Sequence, residues 1–251
     1  MRKPLPWKTA WVTGASTGIG REIVLQLKAA GVRVAASARS PEKLAALGPG
    51  VLAIPLDVTD AKACHFAAEQ VEAELGPIDL VVFGAGTYAP VAADNIDPDL
   101  FAHTMNTNYM GVVNCLAAVA PRMTARGSGH ISWIASVAGF MGLPKAAAYG
   151  PTKAALINLA ECLEPEMKLK GVLISVINPG FVATPLTAQN DFEMPFLMQP
   201  EEAGRRTIEG LAAGRFEIAY PRRFVAILRT LRALPYPLFF RLITRFVLKA
   251  K

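Results

Sequence analysis

The chain has 251 residues, 52% of them hydrophobic and 18% charged, which is long enough for one full-sized core and too oily for a disordered or fibrous protein. Its net charge of +6 is unevenly placed: residues 222–251 hold eight basic and no acidic side chains, so the body before them is slightly acidic. That distribution argues against nucleic-acid binding, where the basic face belongs to the fold that reads the ligand. Met1 to Lys8 lacks the pattern of a secretory leader, because the apolar run Ala10 to Val12 stops at Thr13-Gly14. No stretch reaches the roughly 18 uncharged apolar residues of a membrane span. Cys64, Cys115 and Cys162 are widely spaced, with no CxxC, and read as small thiols rather than a disulfide or metal framework. A cytoplasmic, cofactor-using protein is expected.

The elements follow in a regular alternation. Ala10 to Val12 reads as a strand, followed after Thr13 to Gly20 by a helical pattern through Ile23, Leu25, Leu27 and Ala30 that stops at Gly31. Val32 to Ala36 is a continuous apolar run, the mark of a strand buried on both faces. A helix (Pro41 to Leu47), a strand (Val51 to Leu56), a helix (Asp60 to Leu75) and a strand (Ile78 to Phe83) come next. A long helix over Phe101 to Arg126 leads to strand Ile131 to Ala135. A further helix covers Ala147 to Leu169, with a kink expected at Pro165, and leads to strand Val172 to Ile177. A short strand lies near Phe216 to Ala219. Strands alternating with helices of this length predict a single doubly wound α/β domain of the Rossmann type, a parallel sheet of about seven strands with helices on both faces. Residues 1–221 make up this unit, and 222–251 are a basic helical extension of it.

Gly14, Gly18 and Gly20 sit where the first strand turns into the first helix, the place where a backbone must turn tightly and let a diphosphate approach the helix N–H groups. The spacing in Thr13-Gly14-Ala15-Ser16-Thr17-Gly18-Ile19-Gly20 is G-x3-G-x-G. It resembles the TGxxxGIG motif of the short-chain dehydrogenase/reductase family, and the resemblance extends along the chain. It implies that Gly14, Ser16, Thr17, Gly18, Ile19 and Gly20 hold a nicotinamide dinucleotide. The second strand ends in Ser37-Ala38-Arg39-Ser40, with an arginine and two small hydroxyls where an NAD-selecting enzyme carries Asp or Glu. NADP(H) is therefore expected over NAD(H), with Arg39 on the 2′-phosphate. Asp57 and Val58 match the family's adenine contacts, with capping of the next helix as the other reading of Asp57 (Asp60 suits that role better). Phe83-Gly84-Ala85-Gly86 stands where relatives read NNAG. Gly84, Ala85 and Gly86 keep the ribose approach, and the replaced asparagines predict altered packing with the chemistry retained.

Tyr149 and Lys153 are four apart at the start of a helix and so share a face. A phenol has a pKa near 10, and a neighbouring ammonium would lower it into a useful range. In the family, the serine at the position of Ser136, 13 residues before Tyr149, holds the substrate oxygen. The asparagine of N-x-x-G, here Asn108 with Gly111, holds a water that links the lysine to solvent. Pro179, Gly180, Val182 and Thr184, after the sixth strand, match the segment that runs beside the nicotinamide. The four residues Asn108, Ser136, Tyr149 and Lys153 form the expected catalytic group of a carbonyl reductase or alcohol dehydrogenase, with Tyr149 as the proton donor and no metal. A dinucleotide-binding sensor or scaffold is the reading from another class, and four intact catalytic positions speak against it.

The stretch from 184 to 200 is expected to close over the substrate. It holds Leu186, Phe192, Met194, Phe196, Leu197 and Met198, with Asp191 and Glu193 as its only charges, and suits either an apolar, lipid-like small molecule or ordinary packing on the body. Arg222 to Leu234 and Leu238 to Ala250 read as two helices broken by Pro235-Tyr236-Pro237. In the second, Arg241, Arg245 and Lys249 recur at helical spacing opposite Phe239, Leu242, Ile243, Phe246 and Val247. Such a helix can dock on its own body, on a second subunit, or peripherally on the inner membrane surface. The family resemblance further implies a homodimer or homotetramer.

Overall fold

The computed structural model describes residues 4–248; Met1 to Lys3, Lys249 to Lys251 and the side chains of Phe246 and Val247, on which parts of the readings above fall, lie outside what is described. Seven strands form one parallel sheet: β1 (Thr9–Thr13), β2 (Arg33–Ala38), β3 (Val51–Pro55), β4 (Leu80–Phe83), β5 (Gly129–Ile134), β6 (Val172–Pro179) and β7 (Glu217–Tyr220). Their order is β3-β2-β1-β4-β5-β6-β7, the doubly wound α/β arrangement that the alternation predicts. The order reverses between β1 and β4, so a crevice opens beyond their C-terminal ends.

Both faces of the sheet are buried, and the period of two along each strand sorts side chains between them. Trp11, Val81, Phe83 and Trp133 point into one core with Val71 of helix α3 (Ala61–Leu75), Val119 of α5 (Gly111–Ala125) and Leu156 of α6 (Gly150–Leu169). Ala10, Val12, Leu80 and Val82 point into the other. There they meet Ile23 and Leu27 of α1 (Gly18–Ala29), Leu44 of α2 (Pro41–Ala45) and Leu211 of α7 (Pro200–Ala212).

The long helix of the second half starts earlier than expected, as α4 (Pro98–Met105), and is interrupted by a π-turn over Asn106–Met110 before α5. A π-turn inserts one residue and re-aims the side chains around it. This one accompanies the burial of Asn108, and Gly111 after it is obligatory: a Cβ there would lie 2.5 Å from Val58 Cγ2. Helix α6 starts at Gly150, three residues later than expected, and runs through Pro165 unbroken. Helix α7 was missed in the sequence, although Pro200 and two glutamates in its first turn mark a helix start. It packs on α1, where a Cβ on Gly204 would lie 3.0 Å from Glu22 Cβ.

The tail forms α8 (Arg222–Arg232), α9 (Tyr236–Ile243) and a π-turn over Thr244–Leu248. Tyr236 and Pro237 open α9 rather than break the chain, because proline is tolerated in a first helical turn. Phe224, Val225, Leu228, Phe239 and Ile243 are buried with Val137 and Met141 of the body, forming a third apolar cluster.

Candidate active site

A cleft of about 1310 Å³ opens along the C-terminal edge of the sheet, and the sequence-predicted residues at positions 14–20, 39, 57–58, 84–86, 136, 149, 153, 179–180, 182 and 184 line it; Asn108 lies buried behind it. At the end nearest β1, Gly14 and Gly18 adopt the left-handed backbone (φ +67° and +57°) that favours glycine. Their packing adds a reason beyond ligand approach. A Cβ on Gly14 would sit 2.4 Å from the Gly84 backbone, and one on Gly20 would sit 2.4 Å from the Gly14 carbonyl oxygen. The loops therefore close on one another only as glycines. Thr17, at the N-cap of α1, makes no side-chain capping bond, and no acidic residue occupies the first turn. The first N–H groups of α1 and its positive end are thus left for an anion.

Exposed Arg39 borders the cleft at the end of β2. One of the two hydroxyls expected beside it is otherwise engaged: Ser37 is buried and accepts from the Trp11 indole at 2.9 Å. Lys43, in α2, takes its place as a second cation on the rim, a position that the motif does not include. Asp57 does not cap α3, since Asp60 does so through Ala63 N–H at 3.0 Å. Instead Asp57 Oδ1 accepts from Thr59 N and Oγ1. Those bonds hold its carboxyl below the usual range, aided by the charges of Arg39 and His103. Buried Val58 stands beside it. After β4, Gly84 N–H donates to Thr13 O at 3.1 Å. Phe83, in place of an asparagine, packs edge-on against Trp11 with ring centroids 6.1 Å apart.

The inner end of the cleft carries Ser136, Tyr149 and Lys153. Ser136 follows β5 as the N-cap of a short 3-10 turn; its Oγ accepts from Ala138 N at 3.1 Å and donates to Pro179 O at 3.4 Å. Tyr149 and Lys153 open α6. Lys153 is 4% exposed, its Nζ donates to Ile134 O at 2.8 Å, and it lies 5.4 Å from the Tyr149 ring centroid. Burial brings the Lys153 ammonium down to about 8. The expectation that the lysine lowers the phenol is not met in the protein alone. Desolvation pushes Tyr149 up to about 12, offset in part by the Ser136 hydroxyl, and the ammonium sits over the ring face rather than at the phenol oxygen. At neutral pH the phenol is protonated, as a proton donor must be.

Asn108 is fully buried, and its side chain is committed to protein. Oδ1 accepts from Thr87 N at 2.7 Å, while Nδ2 donates to Thr87 O and to Thr152 Oγ1. Thr152 Oγ1 in turn donates to Tyr149 O at 2.7 Å. The asparagine thus braces the backbone of the tyrosine through Thr152. Tyr88 went unnoticed in the sequence: its ring meets the Tyr149 ring edge-on at 5.2 Å, and its hydroxyl donates to Asn190 Oδ1 at 2.9 Å. Its place two residues after Gly86 was the only available signal.

The outer end of the cleft is apolar. The lid returns to its starting point through two bonds, Met198 N–H to Phe181 O and Ala183 N–H to Met198 O. Phe181 stacks on Phe224 of α8 at 5.5 Å and meets Phe192 of the lid at 5.8 Å. Ile227, Leu228, Leu231 and Ile243 of the tail complete that wall, so the tail forms part of the cleft. Gly180 permits this, since a Cβ there would lie 2.9 Å from Phe224 Cδ1. Lys145 and Phe196 hold left-handed backbone (φ 62° and 58°), which is costly for residues with side chains and recurs at functional loops. Lys145 Nζ binds both oxygens of Asp191 at 2.7 Å across the mouth.

A sequence profile described as "short chain dehydrogenase" matches residues 8–194. The chain belongs to that family. An "Uncharacterized oxidoreductase" from Myxococcus xanthus is 38% identical over 242 residues, 94% of this chain and 96% of its own. A short-chain dehydrogenase from Burkholderia cenocepacia, solved with NADP, superimposes with a TM-score of 0.83 at 26% identity, covering 94% of this chain and 97% of the other. The structure of a Burkholderia phymatum relative with NAD, 22% identical, shares the fold at a TM-score of 0.82 over 91% of this chain and 94% of that one. This short-chain dehydrogenase is accordingly an NAD(P)-dependent oxidoreductase that interconverts carbonyl and alcohol groups. Its residues fit the dinucleotide: an uncapped helix N-terminus lies at the centre of the cleft and two cations stand on the rim beyond it.

Proposed function

We propose that this enzyme prefers NADP(H) and reduces an apolar carbonyl compound. The observation that carries the reading is the cleft itself. Arg39 and Lys43 stand at one end with no carboxylate at the end of β2, Ser136, Tyr149 and Lys153 lie at the junction, and phenylalanines from the turn after β6, the lid and the tail wall the other end. The α1 N-terminus with Gly14, Ser16, Thr17, Gly18, Ile19 and Gly20 would hold the diphosphate, and Arg39 with Lys43 the 2′-phosphate. Asp57 and Val58 would hold the adenine and Gly84 to Gly86 the ribose. Pro179, Gly180, Val182 and Thr184 would border the nicotinamide. When bound, the reduced dinucleotide supplies the hydride that adds to the carbonyl carbon.

The chain's own side chains do the rest. Ser136 Oγ donates to the carbonyl oxygen and orients it. The Tyr149 hydroxyl gives up its proton as negative charge develops there. Lys153 fixes the ribose by hydrogen bonds and, as a cation, eases formation of the phenolate left behind. Asn108 and Thr152 hold the Tyr149 backbone in place for that transfer. Burial of the phenol favours its protonated form, the form that donates in reduction.

The test is cofactor oxidation measured with NADPH and NADH over aldehydes and ketones of increasing alkyl length. Catalytic efficiency should rise with chain length, and NADPH should be favoured at least about tenfold, the worth of one charge-assisted hydrogen bond. Equal use of both cofactors would overturn the preference, and small polar carbonyls turned over best would overturn the substrate class. Tight NADPH binding with no turnover on any carbonyl would favour the sensor reading.

A further inference from the structure

The tail presents a second surface, on the side of α8 and α9 turned away from the body. Phe239 and Ile243 face inward, which leaves Tyr236, Leu238 and Phe240 of α9 at 62%, 44% and 58% exposure. Tyr236 and Phe240, one helical turn apart, stack with ring centroids 5.6 Å apart and an interplanar angle of 14°. Beside them Phe240, Arg241, Thr244 and Arg245 border a shallow depression of about 420 Å³. The described part of the tail carries six arginines and no carboxylate, Arg229 being paired with Glu217 of β7, and Arg241 and Arg245 join the exposed aromatic rings to one sign of charge. Among the described residues no helix is long and apolar enough to cross a membrane, so any contact with lipid is from the surface.

We infer that this face docks on a bilayer surface carrying anionic headgroups, with Tyr236 and Phe240 at the headgroup–acyl boundary and Arg241 and Arg245 on lipid phosphates. The chemistry is complementary on both counts. Aromatic rings with an apolar body settle at that boundary, and arginine forks bind phosphate oxygens in pairs. A second copy of the chain would bring an equally basic patch against this one and repel it, which is why the lipid surface is the occupant argued for. The same segment supplies Ile227 and Leu231 to the rim of the apolar cleft, so a docked enzyme would hold its substrate mouth close to the bilayer. That last step rests on the apolar-substrate reading, whereas the docking does not.

The experiment is flotation of the full-length protein with vesicles of phosphatidylcholine alone or mixed with phosphatidylglycerol, at low and high salt. Co-flotation is expected with the anionic vesicles only, and should weaken in high salt. Arg241→Glu with Arg245→Glu should weaken it by roughly thirtyfold or more, at about a tenfold loss or somewhat less for each cation removed from the surface. Tyr236→Ser with Phe240→Ser should weaken it while leaving the salt dependence in place. No residue among these four lines the substrate cleft, so NADPH oxidation on a soluble carbonyl should be unchanged and reports that each variant is folded. Absence of flotation, equal binding to neutral vesicles, or a wild-type dimer that the same variants split without any vesicle binding would each overturn the inference. Since flotation uses no substrate, it can fail while the reductase reading stands, and the reverse.

Discussion

The two ends of the cleft are built by opposite means. At the cofactor end the surface is backbone: positive-φ glycines, an uncapped helix start, and loops that approach so closely that single methyl groups would collide. At the substrate end it is side chain: a cluster of phenylalanines, a lid pinned at its neck, and helices from the far C-terminus. A backbone-shaped site tolerates few residue types at each position, and so its sequence is constrained. A wall of apolar side chains admits many solutions that bury the same area. The contrast teaches that one half of this enzyme is fixed by the fit of its backbone, the other by the area its side chains must bury.

The sharpest way to break that division is at the junction. Tyr149→Phe removes the proton donor and leaves the ring, its contact with Tyr88 and the cofactor wall. Turnover should fall by about 10² to 10⁴, the range of a general acid, with the NADPH dissociation constant nearly unchanged in a fluorescence titration. Retained activity would remove Tyr149 from the mechanism. Next in size is Arg39→Ala, which should cut the NADPH-to-NADH preference by about tenfold or somewhat more and leave KM for the carbonyl alone. A matching rise in substrate KM would mean that the two ends are not separate.

A pH profile tests the junction from another side. Reduction needs a protonated Tyr149, which burial secures up to about 12, and a charged Lys153, which burial weakens from about 8 upward. The kcat/KM for reduction should therefore be flat below pH 7 and fall roughly tenfold between pH 7 and 9. Lys153→Arg, with a cation that does not titrate there, should flatten the fall; a profile unchanged by that substitution would assign the titration elsewhere.

Legibility followed the same line. The alternation of strands and helices, the glycine turn and the positions of Ser136, Tyr149 and Lys153 were readable because each is a local demand on a few residues, whereas the order of the strands in the sheet comes from the fold. Asn108 was found by its motif, but its side-chain partners were not, since Thr87 and Thr152 reach it only through the fold. Lys43 and Tyr88 lay within reach of recognised motifs and carried no pattern of their own. Helix α7 had a clear start signal in Pro200, Glu201 and Glu202 that the apolar lid before it obscured. The tail's basic stripe was visible, whereas the burial of Phe224 and Leu228 against Val137 and Met141 was not, because nothing in an amphipathic pattern says which surface its apolar side will meet.

Leu228→Ala probes that wall. Leu228 is 4% exposed, lines the cleft and joins the tail to the body. Truncation should cost about 2–5 kcal/mol of stability, read as a lower melting temperature, and raise KM for long apolar carbonyls by roughly fivefold while short ones change less. NADPH affinity should not move. Equal losses for short and long substrates would mean that the tail supports the fold without shaping the pocket.

The smallest expected effect lies at the mouth, where Lys145 and Asp191 join the loop before α6 to the lid. Both side chains reach solvent, at 38% and 63% exposure, so the ion pair is worth less than about 1 kcal/mol and is screened by salt. Its position gives it a wider reach than its energy. Lys145 carries backbone strain, Asp191 follows Asn190, and Asn190 accepts from Tyr88, whose ring edge rests on Tyr149. Burial and the Asp191 charge together raise the Tyr88 phenol, which keeps it a hydrogen-bond donor to Asn190. Asp191→Asn should loosen the lid and change kcat/KM by no more than about fivefold, with high salt producing the same change in the wild type and none in the variant. If neutralising Asp191 instead abolished turnover, the lid would belong to the chemistry, and the separation of a backbone-built end from a side-chain-built end would give way to one coupled site.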